Sequence, residues 1–382
     1  MRWRLPLSRC DWHSLWAAPH RPLFALAGLW AFAAPAVWLL PESFVLDRTA
    51  WHAHELLFGM GGAAVGGCLL TALPAWTGGE PVQPVVTRML TMLWLAARVA
   101  GLFGDHIPAA VRLAGTAGYF AGLAAVLAWH LLPARVWSRL WVLLAPVILG
   151  GAAILSGSDN GEMRRNAPLL FSILIILIGG RAVPAFTRYW LKRMDVPVRL
   201  DDRPFLSRAA IPAILGAVLL DGLARGLLLI IAAALLFLRM ARWQGLETVR
   251  YPALFMMHAA WASTPFGLLL VGFASIFPGE FPVSSALHAL TMGAMGTMML
   301  SFMLRPAMIR ENDRLLVSRT MAGAYMLVCM SAFLRIGGGW LAVLQPLSAL
   351  CWMAGWGLFI LAYRPALSGP VQRPIFSVAL RR

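Results

Sequence analysis

A chain of 382 residues that is 60% hydrophobic and only 13% charged, with a mean hydropathy of +0.74, lies far outside soluble domains, in which about a quarter of residues are charged. Its net charge of +16 would point a soluble protein toward nucleic acid; here it raises the question of which side of a membrane the arginines face. The composition predicts an all-α, polytopic membrane helix bundle of about twelve transmembrane helices, read as one integral membrane domain over residues 1–382.

Residues 1–21 are polar and arginine-rich, carry no cleavable signal pattern and read as a cytoplasmic lead-in. His20-Arg21-Pro22 then opens the first predicted span, 22–40. The second, 52–75, begins inside WHAHELLFGM (51–60), where two histidines and a glutamate fall within four residues at the edge of an apolar run. Imidazoles and a carboxylate are costly to sink toward lipid without partners, so the cluster marks a candidate site. It is not a zincin: HExxH needs a histidine four residues after His54, and that position is Phe58. At about 100° per residue, His52, Glu55, Gly59, Gly62 and Gly66 share one helix face, while His54 points the other way with Phe58 and Gly61. The glycines make a small-residue seam for a neighbouring helix. On it, His52 and Glu55 are expected to act as ligand and supporting acceptor, or to bond each other.

Spans over 85–104, 107–132 and 137–156 follow, with Arg98 and Arg112 inside them. The span at 167–187 ends in GGRAVPAFTRYW, which is expected to bury Arg181 near the cytoplasmic side, in want of an anion or snorkelling to the interface, with Arg188 at the surface. The pair 206–221 and 223–241 has almost no connection between its members, and the former is short. His258 lies one or two turns into 251–278, so an inner group of His20, Arg181, Arg188 and His258 is geometrically allowed. Span 283–304 places His288, Met292, Met295 and Met299 at i, i+4, i+7 and i+11. Imidazole with thioether suits haem axial ligation or Cu(I); His288 is taken as a ligand and the methionines as packing. Spans 316–336 and 339–363 complete the set, and 364–382 reads as a cytoplasmic tail.

With the N-terminus inside, 24 of the 32 Lys and Arg residues fall on inner segments and five on outer ones. This bias predicts that both termini are cytoplasmic, and it replaces nucleic acid with the lipid bilayer as the partner of the basic face. Cys10, Cys68, Cys329 and Cys351 are scattered without a CxxC pair, so neither a disulfide framework nor a zinc ribbon is expected.

At His20-Arg21-Pro22, WHAHELLFG (51–59) with LLTALPAWTG (69–78), IGGRAVPAFTRYWL (178–191) and HALTMGAMGTMMLSFMLR (288–305), the chain resembles the NnrS family. These are bacterial membrane proteins, containing haem and copper, that are associated with the response to nitric oxide. The resemblance implies a twelve-helix fold in the bacterial inner membrane, haem and copper as cofactors, nitric oxide as a small-molecule partner, and His52, His54, His258 and His288 as metal or haem ligands. Glu55, His20, Arg181 and Arg188 would support them. The chain departs from the family after its tenth span, reading MLRPAMIRENDRL where a histidine-containing turn is usual. Two other readings stand beside this one. A secondary transporter would use Glu55, Arg98, Arg112 and Arg181 as isolated ionisable groups, although no internal repeat relates the two halves. An assembly protein would hand haem or copper to a respiratory enzyme.

Overall fold

The computed structural model describes residues 12–41, 47–103, 106–157, 161–312, 314–371 and 373–376. The apolar helices follow in chain order: α1 His20–Leu39, α2 Arg48–Thr77, α3 Pro84–Leu102, α4 Ala109–Leu131, α5 Trp137–Gly157, α6 Gly161–Arg193, α7 Pro204–Leu219, α8 Gly222–Met240, α9 Pro252–Ile276, α10 Val283–Ala307, α11 Arg319–Gly337 and α12 Leu344–Leu367. Eleven are long and apolar enough to cross a bilayer, so the chain is a multi-pass membrane protein. The exception is α7: its 16 residues reach about 24 Å, short of a hydrocarbon core of about 30 Å. Only Leu220 and Asp221 separate it from α8, a reversal made possible by Gly222, whose φ of 58° lies in the left-handed region.

Local chemistry sets the helix ends. Proline occupies the first turn of α3, α7 and α9, where its missing N–H costs nothing. The Asp47 side chain accepts from the Ala50 N–H at the start of α2, and Ser318 does the same for Met321 at α11. Further on, α2 stops at Gly78, which adopts φ 67°.

The bundle is organised around α2 and α10. Buried residues make up 83% and 72% of their apolar windows, against 56% or less for the other spans. One side of the surround runs from α12 through α1 onto α2, with α3, α4 and α5 leading to α6; the other runs α6, α7, α8, α9 and then α10, α11, α12. Close crossings depend on small residues: a Cβ on Gly226 of α8 would come within 2.7 Å of the Gly272 carbonyl of α9.

Both central helices contain a π-helical stretch immediately behind their histidines, Glu55–Met60 in α2 and Ala289–Gly296 in α10. A π turn inserts an extra residue, so faces read at constant α-helical pitch do not survive it. The seam expected from Gly59, Gly62 and Gly66 is accordingly split. Gly59 abuts Trp30 of α1 and Arg98 of α3, whereas Gly62 and Gly66 abut Tyr119 of α4.

At the end of the bundle that carries the basic 188–205 connector, called the basic end below, α10 is followed by an antiparallel hairpin of β1 Ile309–Glu311 and β2 Arg314–Leu316. The Leu315 N–H donates to Tyr251 Oη at 2.9 Å, docking the hairpin on the start of α9. The C-terminal residues expected as a tail fold back onto the same end, where Phe376 packs between Phe24 and Phe302.

Candidate functional site

The WHAHE cluster lies at the opposite, or far, end. Asp47 starts α2 one residue ahead of Arg48, which brings His52, His54 and Glu55 into its first two turns, where α1 and α3 cross. Glu55 is fully buried. Its Oε2 accepts from Trp30 Nε1 and from Arg98, each at 2.7 Å, and its Oε1 lies 3.3 Å from His54 Nδ1. The Arg98 guanidinium also sits 5.6 Å over the Trp94 ring, and Trp94 Nε1 donates at 2.9 Å to the carbonyl of Gly59, inside the π stretch. Glu55 is therefore spent on α1, α3 and His54, and it does not bond His52.

The two histidines do face different neighbours. The His54 ring lies against Phe58, with centroids 5.3 Å apart. His52 packs against Trp38 at 5.9 Å, and its Nδ1 is buried with no hydrogen-bond partner among the described residues. Such an atom is either costly or waiting for something.

His288 reaches the same end from α10. Its Nδ1 lies 2.6 Å from the carbonyl of Ser284, an acceptor that demands a proton on Nδ1. The Nε2 lone pair is thereby left available, the tautomer that a ligating histidine needs. His52 and His288 are close enough to act on each other electrostatically, and the charge of Arg335, near the end of α11, acts on both. The methionine stripe does not stay on one face: Met292 and Met295 are buried, but beyond the π stretch it is Met298 that turns inward, toward Gly179 of α6, while Met299 is only half-buried.

At the basic end the expected inner group is dispersed. His258 Nε2 lies 2.8 Å from Thr187 Oγ1, whose own proton goes to the Val183 carbonyl; His258 is therefore the donor. Its Nδ1 faces Gly245, where even a Cβ would come within 2.8 Å, so the space beside it is too small for a methyl group, let alone a macrocycle. His20 is buried against Phe24, and Arg188 is half-buried. The expectation of a buried Arg181 is corrected. It is exposed on the flank of α6, with its guanidinium 5.1 Å over the Trp141 ring of α5, because its turn of the helix faces outward.

A buried cation beside His258 is Arg239, which the sequence reading did not single out. It holds Asp202 through Nε at 2.9 Å and a terminal nitrogen at 3.1 Å, and it donates to Ser207 Oγ and to the Gly180 carbonyl, each at 2.6 Å. Trp243 Nε1 adds a bond to Asp202 at 3.0 Å. Beside it, hydrogen bonds from Arg203 and then Arg242 hold the exposed Asp201 carboxyl below the usual carboxylate range. An acidic pair in an otherwise basic connector was the available signal for this node. For Arg98, the signal was a buried acid in the adjacent span. Among the described residues no three His, Cys, Asp or Glu side chains converge as an ion site, and Cys68, Cys329 and Cys351 are free. Cys10 lies outside the described residues.

Compared with known proteins, residues 14–370 match the family model described as NnrS protein, nearly the whole chain. No curated protein matches it.

Proposed function

Because the chain belongs to the NnrS family, we propose that it is a haem- and copper-containing protein of the bacterial inner membrane, with both termini cytoplasmic, that takes part in the response to nitric oxide. The single observation carrying the metal assignment is the pair His52 and His288. Each imidazole has a nitrogen without a partner among the described residues or fixed as a lone pair, and the two lie at the same end of the two central helices. Two imidazoles suit haem, which brings its own four nitrogens and asks the protein for one or two axial ligands. A copper ion held there would need a further donor. Haem bound by these residues would supply one-electron chemistry and affinity for a diatomic ligand; nitric oxide is small, apolar and membrane-permeant.

The chain's own residues prepare the place. The Ser284 carbonyl fixes the His288 ring and its tautomer. Trp38 covers one side of His52. His54, tied to Glu55 and Phe58, supports the first turns of α2 and is the less suited of the two to ligation. Arg335 provides positive potential for an anionic substituent. His258 is held by Thr187 and closed in by Gly245, so we give it a packing role.

The transporter alternative loses support from its own residues: Glu55 and Arg98 are paired with each other, and Arg181 is at the surface. A role in passing haem or copper to another enzyme uses the same site, and turnover distinguishes it. The test is the haem and copper content per polypeptide, with the absorption spectrum, of purified wild type, His52→Ala, His54→Ala and His288→Ala. We expect His52→Ala and His288→Ala to lose the same Soret feature and His54→Ala largely to keep it. Full haem and copper in all three would sink the metal reading. Stoichiometric binding of nitric oxide without turnover would favour the handling role.

A further inference from the structure

We propose that Arg335 is a haem-binding residue, whose guanidinium pairs with a propionate carboxylate; this rests on the haem reading of His52 and His288. Two contacts fix how α11 lies along α10. A Cβ on Gly293 of α10 would lie 3.9 Å from Ala332 Cβ, and a Cβ on Gly339, just past the end of α11, would strike Ser285 Oγ in the first turn of α10. Positions 293 and 285 thus oppose 332 and 339, and the helices run antiparallel between them. Arg335 stands one turn beyond Ala332 on the same face, which sets it against the turn of α10 that carries His288. Its charge accordingly acts on His288 and on His52.

The cation has no structural employment there. Arg335 is half-buried, and among the described residues it makes no hydrogen bond or ion pair and no carboxylate acts on it. Lack of a partner is not by itself a sign, since Arg164 at the start of α6 shares it; what marks Arg335 is its place beside the two imidazoles. A basic residue in the last turn of a helix often serves its free carbonyls. At the end of α11 the backbone already does so: Gly338 N–H donates to the Leu334 carbonyl at 2.8 Å, Gly339 N–H to Ile336 at 3.2 Å, and Trp340 and Leu341 N–H to Gly337.

The second observation is the ligand-type nitrogens it accompanies: His52 Nδ1, buried without a partner, and the Nε2 lone pair of His288. Imidazoles alone would serve a bare metal ion, but a guanidinium beside them repels one. A group that binds imidazole through its metal and carries carboxylates at its edge uses both features, and haem is such a group. The planar fork of arginine matches a carboxylate with two parallel N–H donors. In this arrangement Arg335 selects haem over a free copper ion at the His52 and His288 pair.

The test compares haem with haem dimethyl ester, whose carboxylates carry no charge. Full-length protein purified from haem-starved cells is titrated with each in detergent, and the Soret band reports uptake. Wild type should bind haem about tenfold or more tighter than the ester, the worth of a hydrogen-bonded charge pair. In Arg335→Gln the preference should fall to about threefold or less, through weaker binding of haem and not of the ester. Should that variant not fold, the wild-type preference is followed instead from about 0.02 to 0.5 M salt, over which screening of a half-exposed pair should narrow it. Equal affinity of wild type for both forms, an undiminished preference in Arg335→Gln or, in the salt series, a preference that does not narrow overturns the role of Arg335 and leaves His52 and His288 as ligands. No uptake of either form by wild type overturns the haem reading and this proposal with it.

Discussion

Replacing Arg98 by methionine should be among the most damaging single changes in the molecule, and the structure gives the scale. Glu55 is fully buried, and Arg98 provides one of its two 2.7 Å bonds. Breaking a buried ion pair by removing one partner strands the other and costs about 3–5 kcal/mol, so Arg98→Met is expected near 4 kcal/mol. Glu55→Gln keeps the shape and an acceptor for Trp30, so its cost is that of hydrogen bonds reduced from charged to neutral, about 2 kcal/mol. Additivity would put the double variant near 6 kcal/mol; with no charge left to strand, it should fall near 3, a coupling of about 3 kcal/mol. The assay is reversible unfolding in mixed micelles titrated with SDS, followed by tryptophan fluorescence, for wild type, both single variants and the double. An Arg98→Met cost within about 0.5 kcal/mol of zero, or additivity within that margin, would refute the claim that this pair pins α1, α2 and α3 together.

A Cβ placed on Gly66 would drive into Tyr119 Oη, whose proton goes to the Gly62 carbonyl at 2.9 Å. Gly66→Ala should therefore cost about 1–3 kcal/mol in the same unfolding assay, and adding Tyr119→Phe should relieve part of that cost; additive losses would mean that α2 and α4 are not in contact there. For topology, reporters fused after Arg208 and after Arg382 should read cytoplasmic and one at Arg165 periplasmic, as the 24-to-5 division of basic residues requires; a cytoplasmic signal at Arg165 would invert the orientation.

The spans were legible because lipid allows few alternatives: a run of apolar residues must be a helix, and its length shows whether it crosses. Even the weak pair at 206–221 and 223–241 resolves as two helices, α7 and α8, with the first short. The opposed settings of His52 and His54 were also readable, since both precede the π stretch and ordinary helical pitch still holds there. What followed it was not. A π turn depends on a slip in backbone hydrogen bonding that side chains such as Trp94 stabilise from another helix, and no residue in 55–60 announces it. The glycine seam and the methionine stripe failed for that one reason. Arg181 failed for another: hydropathy gives depth along a helix but not the direction in which a side chain points, and the arginine that turns in toward Gly180 of α6 is Arg239 of α8.

The two central helices run in the same direction, each beginning at the end where its histidine lies. Neighbouring helices in a serpentine bundle normally run antiparallel, so that their peptide dipoles offset one another. In α2 and α10 the dipoles add, each placing about half a positive charge on its first turn. His52 and His288 lie within two turns of those origins, and Arg335 adds a full charge nearby. The dipoles of these two helices thereby favour added negative charge, an electron included, at the far end. A one-electron centre set between His52 and His288 would have its reduced state favoured by both dipoles together, where an antiparallel pair of helices would cancel them.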